Sequence, residues 1–270
     1  MITLIFPVYN DCERLELALS LYEKYFRFVI IDNYSTDNLE EICEKYNAKR
    51  FNRKTKGLIQ KEDYKTAVSI AETEWIFPTS CSELIPYELI EKISEVIQNK
   101  DVDAIYFKRQ TFLLGMPVLN VFPENKTIFN YARVFKKDCI DWRASKIHSE
   151  YPLVTDKKHV INDLFYYHFR SSSLNDIECK HADYADAQAL SLYNDGKRFS
   201  IIRMYLSAFY QFFKVQITAF TFENFVTSMN QFQITINIYL RLGIIERYGV
   251  LNSTTQNDKI KQRIIDGYAK

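Results

Sequence analysis

Short apolar runs alternate with segments of helical spacing through the first part of the chain. Leu4-Ile5-Phe6-Pro7-Val8 has the length and continuity of a buried strand. Glu13 to Lys24 then places Leu15, Leu17, Ala18, Leu21 and Tyr22 close to the spacing of one helix face. Phe28-Val29-Ile30-Ile31 predicts a second strand, and Ser35-Thr36-Asp37 offers caps for a helix over Leu39–Tyr46. A third strand is expected over Ala48–Phe51, a helix over Asp63–Ala71 and a strand at Trp75-Ile76-Phe77. Pro86 suits the first position of a helix to about Gln98, and Asp103–Lys108 reads as a further strand. Such alternation predicts an α/β domain with a largely parallel sheet and helices on both faces. Ligands of these sheets sit at the carboxyl ends of the strands, which directs attention to Pro7–Asp11, Asp32–Asp37 and Pro78–Glu83.

The periodicity is lost between about Phe112 and Tyr167, an aromatic stretch that reads as loops with a few short strands. From Leu174 onward it is helical: Leu174–Tyr193, Ser200–Phe220, Phe222–Leu242 and a last segment near Asp258–Tyr268. The polar residues inside Asn224–Leu240 argue against a membrane-spanning helix there.

Composition narrows the chemistry. Lys+Arg is 35 and Asp+Glu 34, so a net charge of +1 argues against bulk electrostatic binding of nucleic acid. Glycine is only 6 of 270, and neither GxGxxG nor GxxxxGK[ST] occurs, which argues against a glycine-rich phosphate loop. The five cysteines are scattered without a CxxC pair, and no HExxH is present. That pattern fits a reducing compartment better than a disulfide framework or a zinc site. With no basic-then-apolar opening, the expectation is a cytoplasmic protein, peripheral at an inner membrane face if it meets a membrane at all.

Two motifs at strand ends carry a family resemblance. Phe6-Pro7-Val8-Tyr9-Asn10-Asp11 is followed, about twenty residues on, by Ile30-Ile31-Asp32-Asn33-Tyr34-Ser35-Thr36-Asp37. Together they resemble family 2 glycosyltransferases of the GT-A fold. Further on, Ile147-His148-Ser149-Glu150 and Lys180-His181-Ala182-Asp183-Tyr184 are similar to elements of the branch that includes lipopolysaccharide-core glucosyltransferases. The resemblance implies an α/β GT-A domain with a C-terminal helical extension. Its parts would be a nucleotide-sugar half (1–110), an acceptor-side half (111–197) and a helical region (198–270). It further implies inverting transfer of a hexose from a nucleotide sugar, with UDP as the expected carrier, to a saccharide or lipid-linked glycan of the cell surface.

The resemblance also assigns roles. Pro7, Val8, Tyr9 and Asp11 match the loop that contacts base and ribose; the competing account is a strand-to-helix turn capped by Asp11. Asp32 matches the acidic strand-end residue and Asn33 stands where relatives carry Asp or Ser; the alternative is an Asx turn. Relatives carry Lys or Arg followed by Asn where this chain has Tyr64-Lys65, making Lys65 a candidate phosphate contact. Arg53, Lys54, Lys56 and Lys61 are further cations, each open to being a solvated face. Tyr34, Asn38 and Thr73 stand where relatives have glycine, which stiffens these loops.

The departure lies in Ser80-Cys81-Ser82-Glu83. Ser80 and Ser82 occupy the two positions of the family's Asp-x-Asp metal motif, and only Glu83 is acidic. A hard dication wants charged oxygens, so Mg²⁺ or Mn²⁺ binding is in question. Three outcomes stay open: metal-independent transfer using cations, weak metal binding through Glu83, or a fold that binds donor without turnover. Glu83 and Glu150 are the two candidate general bases. His148, and Lys180 with Tyr184 at i and i+4, are candidates for the acceptor or diphosphate side; ordinary packing competes for each. The aromatic C-terminal helices, with Arg198, Arg203, Lys214, Arg241 and Arg247 interleaved, suit packing or a homodimer in preference to a membrane surface.

Overall fold

A computed structural model describes residues 1–53, 61–118, 132–143, 151–171, 174–216, 221–249 and 261–262. The chain divides into two compact units, Met1–Arg170 and Ser171–Lys270. The first unit runs β1 (Ile2–Val8), α1 (Cys12–Tyr22), β2 (Phe26–Asp32), α2 (Leu39–Lys45), β3 (Lys49–Asn52), α3 (Lys61–Ile70), β4 (Trp75–Pro78) and β5 (Glu83–Leu84). It continues with α4 (Tyr87–Val96), β6 (Ala104–Leu113), β7 (Met116–Val118), β8 (Val134–Lys136) and β9 (Lys158–Ser171).

These strands form one sheet in the order β3-β2-β1-β4-β8-β6-β9-β5, with β7 beside β6. The first four strands are mutually parallel. Val8 pairs with Asp32, Asp32 with Asn52, and Ile5 with Pro78, so four carboxyl ends share one edge. Alternation sends Leu4, Phe6 and Val8 into one core with α1, α2 and α4, and Ile5 into a second core with Ala67 and Val68 of α3. Strands covered on both faces are apolar where they are covered, which is why Leu4–Val8 of β1 and Phe28–Ile31 of β2 read as unbroken hydrophobic runs. At the centre Phe77 meets Phe107 and Tyr166 edge to face, with centroids 5.6 and 6.2 Å away.

The α/β layout with helices on both faces is the expected one. Only half of the sheet is parallel, however: β4–β8, β6–β8, β6–β7 and β5–β9 are antiparallel. The stretch expected to hold loops and a few short strands ends instead in β9, a strand of 14 residues that runs on to Ser171. Two caps also differ. Pro86 precedes the first turn of α4, and Asn38, not Ser35–Asp37, stands before α2 without a side-chain capping bond.

The second unit contains α5 (Leu174–Asn194), α6 (Ile201–Gln216) and α7 (Phe222–Tyr248). Thr221 caps α7 by accepting from the Asn224 N–H at 3.2 Å, and Gly249 ends it in the left-handed region at φ 72°. Arg241 of α7 pairs with Asp186 of α5. Gly243 brings α7 against the Phe199 ring, where a Cβ would lie 3.1 Å from the ring carbon. No helix among the described residues is long and apolar enough to cross a membrane.

Candidate functional site

The loops after β1 and β2 are tied to each other. Asn10, at φ 47°, donates its backbone N–H to Ser35 Oγ at 3.1 Å and accepts from the Thr36 N–H at 2.7 Å through its side-chain oxygen. Asp37 Oδ2 accepts from the Cys12 N–H at 3.1 Å, so it satisfies the first turn of α1 from a loop 25 residues away. Asp11 precedes α1 but makes no side-chain cap. Its carboxylate is held by Arg14, at 2.7 and 2.9 Å. Tyr34 is left-handed at φ 65°. Tyrosine adopts that conformation at a steric cost glycine does not meet, as expected where relatives carry glycine.

Asp32 is buried, accepting from the Ser35 N–H at 2.8 Å and facing Arg50 at 3.0 Å. Its first role is therefore to fix the loop. The Asn33 N–H donates to the Val8 carbonyl at 2.9 Å, stitching the two strand ends together. Asn33 Oδ1 accepts from Arg53 at 2.7 Å, and Arg53 Nε donates to Asp63 at 2.8 Å. A guanidinium only donates, so the facing amide atom must be oxygen, and the Asn33 NH₂ is turned the other way. Arg53 is 2% exposed, which corrects the expectation of a solvated cation. A charge buried this deeply persists only when paired and hydrogen-bonded, and Asp63 and Asn33 provide that.

The turn after β4 is equally closed. The Ser80 and Ser82 hydroxyls are 3.0 Å apart and bonded to each other. Glu83 is buried; its Oε2 accepts from the Thr79 hydroxyl and the Ser80 N–H, both at 3.1 Å, and its Oε1 faces Arg109 at 3.5 Å. Thr79 itself is anchored by its N–H to the Ile5 carbonyl at 3.0 Å. Two neutral, mutually bonded hydroxyls and an engaged carboxylate do not suit Mg²⁺ or Mn²⁺. Among the described residues no three His, Cys, Asp or Glu side chains are grouped to hold a metal ion.

Of the predicted site residues, Pro7, Val8, Tyr9, Asp11, Asp32 and Asn33 lie at the ends of neighbouring strands β1 and β2, and Ser80, Ser82 and Glu83 follow β4, the other neighbour of β1. Tyr9 is 59% exposed at this edge. Lys65 does not join them: it is exposed on α3, on the side opposite Asp63 and Ala67. Tyr64, at the family's basic position, instead packs on Tyr151 at 5.4 Å, and burial pushes its hydroxyl up to about 12. Tyr184 is exposed on α5, in the second unit, and Lys180 lies one turn earlier on that helix. His148 and Glu150 fall outside the described residues. Asp63, Arg109 and Asn10 belong to the site without a role assigned from the sequence; of the three, Asn10 alone carries a signal, inside the Pro-Val-Tyr-Asn loop.

Beneath the loops lie three buried thiols. Burial, then Asp37, raises Cys12 to about 12; burial raises Cys43 to about 11 and raises Cys81 as well. They are inert packing groups in this state.

The edge of the parallel half-sheet thus carries two cross-tied loops with a buried acidic residue at the β2 end. The chain belongs to glycosyl transferase family 2, whose sequence profile matches residues 3–151. Its α/β sheet is therefore a GT-A domain, and the protein is a glycosyltransferase. A Rickettsia bellii protein described as an uncharacterized glycosyltransferase is 23% identical, covering 95% of this chain and 90% of its own. A Rickettsia felis counterpart is 24% identical, covering 82% and 81%. Among solved structures, Staphylococcus aureus TarS in complex with UDP-GlcNAc is 15% identical with a TM-score of 0.48, covering 92% of each chain. Glucosyl-3-phosphoglycerate synthase from Mycobacterium tuberculosis, with Mn²⁺, UDP-glucose and phosphoglyceric acid, is 12% identical with a TM-score of 0.48, covering 74% and 81%.

Proposed function

We propose that this glycosyltransferase moves a hexose from a UDP-sugar to a saccharide acceptor of a cell-surface glycan, with inversion and without an Asp-x-Asp metal. The carrying observation is the Asn33 amide, fixed at the β2 end by the buried Arg53–Asp63 pair. A preset NH₂ donor meets a base carbonyl without ordering cost, and the exposed Tyr9 ring offers a stacking face. In the transfer, the acceptor hydroxyl attacks the anomeric carbon as a base removes its proton. The nucleoside diphosphate leaves with the electrons of the broken bond.

We assign the base to Glu150. Both Glu83 oxygens already serve the turn and Arg109, which makes Glu83 a positioning residue for Ser80. Cationic side chains, in place of a dication, then balance the diphosphate. The neutral Ser80–Ser82 pair also favours a second reading, a donor-binding homologue without turnover.

Thermal shift with UDP in chelator, followed by mass-spectrometric turnover over a panel of UDP-sugars and glycan acceptors, separates these. The expected result is stabilisation by UDP in chelator, and turnover that Glu150→Gln lowers by at least about a hundredfold while leaving UDP binding intact. Binding without turnover supports the second reading. No shift with any nucleotide, with or without Mn²⁺, removes the donor site.

A further inference from the structure

Helix α6 is apolar on two sides. Met204 and Ala208 are buried, and that side satisfies the packing of the helical unit. The opposite side exposes Ile202 at 71%, Leu206 at 66%, Tyr210 at 63% and Phe213 at 54%. Spacings of four, four and three residues set these side chains in one stripe along the helix. The stripe continues onto α7. Phe209 of α6 meets Phe232 of α7 at 5.3 Å, Phe212 meets Phe225 at 6.3 Å, and Phe222, Phe225 and Met229 are exposed beyond them. Large apolar side chains grouped in this way on an exposed helix face mark a surface that another surface covers.

Charge selects what covers it. From Lys197 to Gln216 the sequence holds four cations (Lys197, Arg198, Arg203 and Lys214) and no acid. On the helical wheel Arg203 and Lys214 fall together on one flank of the stripe. A second copy laid α6 against α6 brings the cations of that segment toward one another, and the α7 part of the face adds a single acid, Glu223. An anionic bilayer meets both needs: the aromatic and aliphatic stripe enters the acyl boundary while the flanking cations lie at the headgroups.

We propose that the α6–α7 face docks on an anionic lipid surface. The inference is independent of the donor-site reading, because neither its observations nor its test involves turnover. Of the uses expected for these aromatic helices (packing, a homodimer or a membrane surface) it assigns the third to the exposed stripe, while Phe209 and Phe212 also pack on α7.

The test is flotation of the full chain with vesicles of phosphatidylglycerol and phosphatidylethanolamine, against vesicles of phosphatidylcholine alone, at low and high salt. The protein is expected to float with the anionic vesicles, and less so at high salt. The double variant Leu206→Asp with Phe213→Asp is expected to lose about tenfold or more of that binding. Its melting temperature should hold, because both side chains are exposed. Should the double variant melt early, Arg203→Glu with Lys214→Glu decides: it is expected to weaken anionic binding by a similar factor. Wild-type protein that floats with neither vesicle, or variants that float as well as wild type, overturns the proposal. So does a wild-type dimer in sedimentation that the double variant dissociates, without vesicle binding by either.

Discussion

The β-sheet unit and the helical unit use aromatic residues in opposite ways. In the sheet, Phe77, Phe107 and Tyr166 are enclosed in one edge-to-face cluster. On α6, Phe209, Tyr210 and Phe213 are about half exposed or more. Equal hydrophobicity in the sequence therefore does two jobs. Inside, it supplies folding free energy; outside, it stores interaction free energy that only another surface can release.

The largest expected effects break the first half of this comparison. Phe77→Ala should cost about 3–5 kcal/mol in denaturant unfolding, whereas Phe213→Ala, which loses only ring contacts to Phe209 and Phe212, should cost no more than about 1.5 kcal/mol. Equal losses would show that the α6 face is packed in solution. Arg53→Ala, which takes the guanidinium away from buried Asp63, should also cost about 3–5 kcal/mol. Changing Arg53 to Met instead, together with Asp63→Leu, should recover most of that loss, and no recovery would refute the ion pair as the cause.

The last effect is pH-dependent and vanishes at neutral pH. Cys12 and Cys43 hold their protons in the fold to about 12 and 11, against about 8.5 in an unfolded chain. The folded state then binds more protons than the unfolded one above about pH 8.5. Stability is intact below that pH and falls as pH rises toward 11–12. Unfolding curves at increasing pH check this, with alkylation of the native protein as control: both thiols should resist iodoacetamide at about pH 8 until the chain unfolds. Rapid native labelling of either would contradict their burial.

Much of the parallel half was legible because each strand is a local apolar run closed by a turn. The antiparallel half was not. In β9 the polar pair Asn162-Asp163 separates Val160-Ile161 from the aromatic residues that follow Leu164. That interruption breaks one long strand signal into short ones. The pairing of β9 is decided instead by β5 and β6, which lie far away in sequence.

The candidate site divides in the same way. Asp32 and Asn33 were legible from their motif at a strand end. The Arg53–Asp63 pair was not, because charged residues read as solvent-facing until a fold encloses them. Lys65 looked suitable by position along the chain, but the helical repeat turns it away from Asp63. Ser80 and Ser82 were legible as a departure, while the bond between their hydroxyls forms only once the turn is closed.

Asp37 has one more consequence, for the order in which the chain is made. The first turn of α1 receives its acceptor from a residue that follows Cys12 by 25 positions. During synthesis the opening strand and helix therefore emerge with that N-terminus uncapped. They gain it only after β2 has been made and laid beside β1. The earliest part of the protein to appear is finished by a later one, so truncations ending before Asp37 should leave α1 frayed at its start, however well its apolar face is preserved.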